Sequence, residues 1–176
     1  MPTFNLITQT SVGSGGANTV TLNNIPLIYD DLRLFILARA TTGSSNFEVR
    51  FNGDATGSIY LRAYAFYNTT STTVPSANNS ASTMIGLQTP STYDAGTFAG
   101  NDFVIPGYRR NTEKTMYGIT AMGFYSNAGH GTIPRIYNIG NTWTITQRTP
   151  ITSITLIGDT TFAEYTSISL YGIKQT

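Results

Sequence analysis

Apolar side chains in this chain recur at every second position, the spacing of a β-strand with one buried face. In the segment Asp31 to Thr41, one face carries only apolar side chains: Leu32, Leu34, Ile36 and Ala38. The other face mixes Arg33 and Arg39 with Phe35 and Leu37, so we predict a central strand. No window of a dozen residues sustains the helical spacing i, i+3, i+4, i+7, and helix is therefore predicted to be essentially absent.

A second strand, Asn46 to Phe51, places Phe47, Val49 and Phe51 inward and ends at Asn52-Gly53. Asn-Gly is the strongest short-range indication of a β-hairpin, because both residues tolerate positive φ. The segment Ile59 to Tyr67 is predicted to return as the partner strand. Residues 68–83 hold a single bulky apolar residue, Val74, and are predicted to form a long exposed loop.

Further strands are predicted at about 84–88, 98–105, 114–125, 133–139, 142–147, 151–157 and 166–174. About nine to eleven short strands separated by turn residues predict an all-β fold, a single antiparallel β-sandwich of jelly-roll type spanning residues 1–176. Residues 1–12 form either an edge strand or an N-terminal arm. Ser11 to Ala17 is accordingly either a hairpin loop or a flexible link, and the loop is favoured.

Composition argues against several classes of function. Ten Lys+Arg nearly balance nine Asp+Glu, for a net charge of +1, so no basic face for nucleic acid is expected. Cysteine is absent and His130 is the sole histidine, which excludes thiolate and His-rich metal sites. No apolar run approaches the ~20 residues of a membrane-spanning helix. No secretory signal is seen, so we expect synthesis in a cytoplasm without export.

The sequence favours a protein that is not an enzyme. His130 lies between glycines and is predicted to be a solvated turn residue, not a base for a serine nucleophile. The nine acids fall mostly at turns, where Asp caps its own backbone, so paired hydrolase carboxylates are disfavoured. Calcium at Asp54, Asp94 or Asp102 is conceivable but has no supporting spacing. We predict no cofactor and no metal.

The loop after Pro106-Gly107 carries Tyr108, Arg109 and Arg110, residue types enriched in protein interfaces. An exposed cationic loop that contacts only solvent is an equally favoured interpretation of these three residues. Phe4 and Leu6 in the N-terminal segment complete the candidate interface, because this segment is able to add a strand to a neighbour's sheet.

Two segments resemble a group of tailed-bacteriophage virion proteins: VRFNGDATGSIY at residues 49–60 and SLYGIK at 169–174. The resemblance covers about 20 residues directly and, in order and spacing, nearly the whole chain. It implies a non-enzymatic β-sandwich of a phage particle, in which Asn52, Gly53 and Asp54 make a turn. Leu170 and Ile173 lie on opposite faces of the last strand, so at most one is expected in the core.

Within this group, a capsid decoration (cement) protein is preferred over a tail-fibre or tail-tip module that binds host carbohydrate. Because the sequence runs from Met1 to three residues after Ile173, we do not expect a long fibrous or coiled-coil shaft. The expected partner is the major capsid protein, on the outside of a capsid assembled in the host cytoplasm. A homo-oligomer is expected, and a trimer is predicted because many shells offer three-fold joints.

Overall fold

The computed structural model of the chain describes residues 1–43, 46–56, 60–67, 72–73, 78–80, 86–123, 135–144 and 148–175. Within these ranges the chain contains strands and turns and no helix. The strands are β1 Thr3–Ser11, β2 Ala17–Leu22, β3 Asp31–Ala38, β4 Asn46–Phe51, β5 Tyr60–Tyr67, β6 Thr72–Thr73, β7 Asn78–Ser80, β8 Gly86–Leu87, β9 Ala99–Pro106, β10 Lys114–Met122, β11 Arg135–Trp143, β12 Ile154–Phe162 and β13 Ser167–Lys174.

The described strands form two antiparallel sheets of unequal size. The larger sheet has the order β1-β13-β3-β9-β10-β11-β5-β6, with β7 also paired to β5. The smaller sheet has the order β2-β12-β4-β8. The predicted all-β sandwich is therefore confirmed, while the jelly-roll connectivity stays a prediction.

The core lies between the sheets and is built from alternate residues of both. The smaller sheet contributes Phe47, Val49 and Phe51, each at most 1% exposed. The Phe51 ring packs edge-on against Trp143 of the larger sheet, with ring centroids 5.6 Å apart. Leu170 belongs to this core cluster and Ile173 does not, as their opposite positions on β13 require.

Two predictions made for β3 are confirmed: its buried inner face and its central position in a sheet. The predicted inner face of β3 is buried throughout, with Leu32, Leu34, Ile36 and Ala38 at most 1% exposed. β3 lies between β13 and β9, so it is a central strand. No layer of the described residues covers its second face.

The predicted hairpin between β4 and β5 is wrong. β4 pairs with β12 and β8 in the smaller sheet, whereas β5 pairs with β11 in the larger one. The turn itself is as expected, with φ of 52° at Asn52 and 67° at Gly53. Asn52 uses its side chain to bind the segment before β12: Nδ2 donates to the Pro150 carbonyl at 2.9 Å, and Oδ1 accepts from the Thr152 N–H at 2.8 Å.

Both interpretations of Ser11 to Ala17, as a hairpin loop and as a flexible link, are also wrong. β1 pairs with β13 in the larger sheet and β2 pairs with β12 in the smaller one, so the segment crosses between sheets and forms neither a hairpin nor a link to a free arm. A second crossing, from β12 to β13, runs beside it. The Val12 N–H donates to the Thr166 carbonyl at 2.8 Å, which joins the two crossings.

Two smaller expectations differ from the structure. The strands predicted at 133–139 and 142–147 are one continuous strand where described, Arg135–Trp143, because its register with β10 passes through Gly140 without a break. The short strands β6 and β7 lie inside the predicted loop 68–83 and pair with β5. The other residues of that loop lie outside the described residues.

Candidate interaction surface

The side of the larger sheet that faces away from the core is apolar and exposed. We call it the outer face, and it comprises the following side chains of six neighbouring strands: Phe4, Leu6, Arg33, Phe35, Leu37, Asp102, Val104, Tyr117, Ile119, Ile136, Asn138 and Tyr171. Leu37 and Ile119 are each 53% exposed and Tyr117 is 50% exposed. Contiguous exposed apolar area of this kind marks an interaction site in soluble proteins.

The outer face has the dimensions of a protein interface. Six strands span about 24 Å across the sheet, and eight residues along a strand span about 27 Å. The product, about 650 Å², is close to the ~800 Å² that each partner contributes to a standard protein–protein interface.

One ion pair lies within the outer face. Arg33 binds Asp102 in a bidentate manner, with Nε–Oδ1 at 2.9 Å and a terminal nitrogen to Oδ2 at 2.7 Å. The hydrogen bond to Asp102 raises the pKa of Arg33. The Arg33 guanidinium also lies over the Phe35 ring, with Cζ 4.6 Å from the centroid. The two charges therefore neutralise each other.

Two shallow grooves cross the outer face. The first is lined by Leu37, Gly100, Ile119 and Ala121 among others, and it exists because Gly100 has no side chain between its larger neighbours. A Cβ added at Gly100 meets no atom within 4 Å. The second groove places the Tyr117 ring beside Asp102 and Asn138.

The sequence-predicted residues Phe4 and Leu6 lie at the border of the outer face, on edge strand β1. They are 48% and 53% exposed. Leu6 lies opposite Tyr171 of β13, and the Phe4 ring is 5.6 Å from the Arg33 guanidinium carbon. Both side chains are therefore accessible to a partner and continuous with the outer face.

Tyr108 is a correction. Its side chain is 0% exposed and belongs to the core cluster, so it is not available to a partner. The Tyr108 hydroxyl donates to the Pro26 carbonyl and accepts from the Tyr29 N–H at 3.4 Å. Burial raises the pKa of this phenol. The residue stabilises the fold by joining its loop to the segment before β3.

Arg109 and Arg110, by contrast, are exposed. Arg109 donates to the Asp30 carboxylate at 2.7 Å. The backbone N–H of Gln175 and this guanidinium hold the pKa of Asp30 below its ordinary value of 3.8. The structure does not bring these arginines onto the outer face, because their loop follows the end of β9.

A buried lysine binds the backbone of the loop after β9. Lys114 is 1% exposed, and its Nζ donates to the carbonyls of Arg110 and Thr112 at 2.6 and 2.5 Å. Burial lowers the pKa of Lys114. Its position fixes the backbone that carries Arg109 and Arg110.

Two of the acids considered for calcium, Asp54 and Asp102, make side-chain contacts within the protein. Asp102 pairs with Arg33, and Asp54 Oδ2 accepts from the Trp143 indole N–H at 3.3 Å. Across the described ranges, no group of three or more His, Asp or Glu side chains is placed to hold a metal ion. The described part likewise has no helix of the length and hydropathy that a membrane span requires. His130 lies outside the described residues.

No family model, no curated protein and no solved structure matches this chain.

Sequence reasoning missed most of the outer face. The pattern was visible, because Phe35 and Leu37 alternate on the second face of β3, and Tyr117 and Ile119 do so on β10. We interpreted the two-sided pattern of β3 only as that of a central strand. An apolar second face predicts equally well a surface that a partner covers.

Proposed function

We propose that the chain is a non-enzymatic structural protein of a tailed-bacteriophage particle, a jelly-roll-type β-sandwich that binds the outside of the capsid and stabilises it. The outer face is the surface that contacts the major capsid protein. The protein acts as a homo-oligomer on the virion surface after assembly in the host cytoplasm. A trimer at a three-fold joint stays a prediction.

The observation that carries this proposal is the exposed apolar outer face. Leaving side chains such as Leu37 and Ile119 in water forgoes roughly 25 cal/mol for each Å² of apolar area that could be buried. A partner that covers the face recovers that free energy. A surface of about 650 Å² is sufficient for a specific protein contact without any loop insertion.

The polar groups on and around the face fit the same role. Its central ion pair is internally satisfied, so Arg33 and Asp102 enter an interface as a bonded unit instead of as two isolated ions. Neutral polar groups such as Ser167 and Ser169 line the first groove. These lose less free energy than ions when they leave water.

Shell stabilisation then follows from mass action. A protein that contacts two neighbouring capsid subunits binds the intact shell better than separated subunits. Binding to one state and not to the other stabilises the bound state by RT ln(1 + [L]/Kd). No bond is made or broken, so no catalytic group is needed.

Copy number tests the assignment directly. Quantitative mass spectrometry of virions that contain this chain, referenced to the major capsid protein, is expected to give hundreds of copies per particle. A few to a few dozen copies would place the protein in the tail and overturn the capsid assignment.

A pair of variants tests the surface. Ile119→Lys places a charge in the middle of the outer face and is expected to abolish binding to emptied shells in a sedimentation assay. Thr19→Lys adds the same charge at an exposed position of β2 on the smaller sheet and is expected to bind normally. If Ile119→Lys is folded and still decorates shells at full occupancy, the outer face is not the contact surface.

The second groove supports one alternative, a tail module that binds host carbohydrate. An exposed Tyr117 ring beside Asp102 and Asn138 combines a stacking surface for a pyranose with polar groups for its hydroxyls. On this alternative, Tyr117→Ala abolishes binding of the purified protein to host polysaccharide. Weakened shell binding in the same variant, with no polysaccharide binding by the wild type, favours the capsid role.

A further inference from the structure

The larger sheet has an open edge at β1. Among the described residues, β1 pairs with β13 alone, so its other side presents backbone N–H and C=O groups without a neighbouring strand. Natural proteins usually protect such edges with lysine, proline or very short strands. β1 is nine residues long, TFNLITQTS, and contains no charged residue and no proline.

The smaller sheet offers a weaker candidate. Its edge strand β2 is six residues long, and its exposed side chains are Asn18, Thr19 and Thr21, all polar. β1 instead exposes Phe4 and Leu6, each about half accessible. Burial of apolar side chains beside the backbone contact makes β1 the edge that gains more from a partner.

We propose that two copies of this chain associate through antiparallel pairing of their β1 strands. The same uncharged edge on both copies brings no like charges together, which is the condition for a self-complementary two-fold contact. An acidic or basic partner strand would find no opposite charge on this edge. A second copy is therefore the occupant that the edge fits.

An irregularity in β1 fixes where the pairing takes place. The register against β13 shifts between Leu6 and Thr8, which is a β-bulge at Ile7. A bulge twists the edge and interrupts its hydrogen bonding, so the part of β1 before it, Phe4 to Leu6, is the part that pairs. We place the two-fold axis at Asn5, which sets Phe4 of each copy opposite Leu6 of the other.

This arrangement joins the two outer faces into one surface. Phe4 and Leu6 lie on the same side of the sheet as Tyr171 and Phe35, so pairing across β1 continues the apolar face from one copy to the next. The inference is independent of the proposed function, because it needs only the purified chain. It predicts a dimer, in contrast to the trimer predicted from shell symmetry.

Cysteine cross-linking tests the register, since the chain has no cysteine of its own. Asn5→Cys sets two thiols directly opposite each other, within about 5 Å between Cβ atoms, and is expected to give a disulfide-linked dimer under mild oxidation. Gln9→Cys is the matched control on the same exposed edge. Its two thiols lie eight residues out of register, about 27 Å apart, and are expected to stay uncross-linked.

Light scattering during size-exclusion chromatography tests the oligomeric state across a range of concentrations. We expect a monomer–dimer equilibrium that Asn5→Lys shifts towards monomer, with Kd raised by up to about fivefold because like charges then face each other. Ile119→Lys is expected to keep the dimer even when shell binding is lost, so the two proposals fail separately. A trimer, a strict monomer, or equal cross-linking of both cysteine variants would overturn the β1 pairing.

Discussion

Asn52 provides the sharpest test of how this sandwich is held together, because one side chain joins the end of β4 to the segment before β12. Its Nδ2 donates to the Pro150 carbonyl at 2.9 Å, while Oδ1 accepts the N–H groups of Thr152 and Ser153 at 2.8 and 3.1 Å. The residue also has a φ of 52°. We predict that Asn52→Ala destabilises the protein through both features.

The magnitude follows from the contacts. Three hydrogen bonds at about 1 kcal/mol each would give about 3 kcal/mol, and partial exposure of the backbone groups to water reduces this to about 2 kcal/mol. The left-handed conformation costs alanine about 1 kcal/mol more. The expected loss in the free energy of unfolding is about 3 kcal/mol, or a fall in Tm of about 9 °C for a chain of this length.

Two control variants separate the two terms in urea denaturation. Asn52→Gly tolerates the positive φ and loses only the hydrogen bonds, so it is expected to cost about 2 kcal/mol. Asn24 has a similar φ of 56° in an exposed connection, and its side chain makes no hydrogen bond to another described residue, so Asn24→Ala is expected to cost about 1 kcal/mol. If Asn52→Ala costs no more than Asn24→Ala, the side-chain contacts do not stabilise the fold.

Three further predictions concern stability. Because the pKa of Asp30 is lowered in the folded protein, its ionised carboxylate stabilises the fold above pH 3.8, and this stabilisation is lost below that pH. The Tm difference between the wild type and Asp30→Asn should therefore shrink as the pH falls through this region. A Tm difference that stays constant would contradict the prediction. Tyr108→Phe removes the hydrogen bond to the part-buried Pro26 carbonyl and should cost about 1–2 kcal/mol in denaturant titration. No loss of stability would contradict a stabilising role for this contact. Gly118→Ala places Cβ 2.0 Å from a backbone oxygen and should lower the free energy of unfolding by about 3 kcal/mol. In Gly100→Ala the added Cβ meets no atom within 4 Å, so this variant should be nearly as stable as the wild type. Similar losses of stability in both variants would refute the close approach at Gly118.

The sequence was most informative about which side of a strand is buried. Alternation correctly assigned the inner residues of β3 and β4, because a period of two leaves no other placement for three or four successive apolar side chains. It also identified the positive φ of Asn52 and Gly53, since few residue types adopt that conformation. Both are local properties, determined within a few residues.

The alternation of apolar residues did not identify which strands pair with each other. The turn at Asn52 and Gly53 has the predicted backbone, yet the chain leaves it for the other sheet instead of folding back on β4. The longer of the two partners of β4 is β12, about a hundred residues later, and the side chain of Asn52 binds the segment that leads into it. Local turn chemistry fixes φ, whereas the partner depends on contacts that alternation does not encode.

The position of Tyr108 shows the same limit for the candidate interface. Tyr and Arg in a turn after Pro106-Gly107 are typical of contact residues, and the two arginines are indeed exposed. Tyr108 is instead directed into the core, where Tyr29 and Pro26 satisfy its hydroxyl. Residue type alone does not distinguish a buried, hydrogen-bonded tyrosine from an exposed one, because both environments suit an amphipathic ring.

The second face of β3 connects the observed fold with the proposed function. A strand with apolar residues on both faces is expected either inside a three-layer protein or at a surface that a partner covers. Phe35 and Leu37 are 36% and 53% exposed, and the strands beside β3 continue the exposed face on both sides with Tyr171 and Val104. The described residues supply no third layer. We propose that association with a partner explains the apolar second face. On this proposal, Ile119→Lys abolishes association with the shell and leaves the free energy of unfolding within about 0.5 kcal/mol of the wild type.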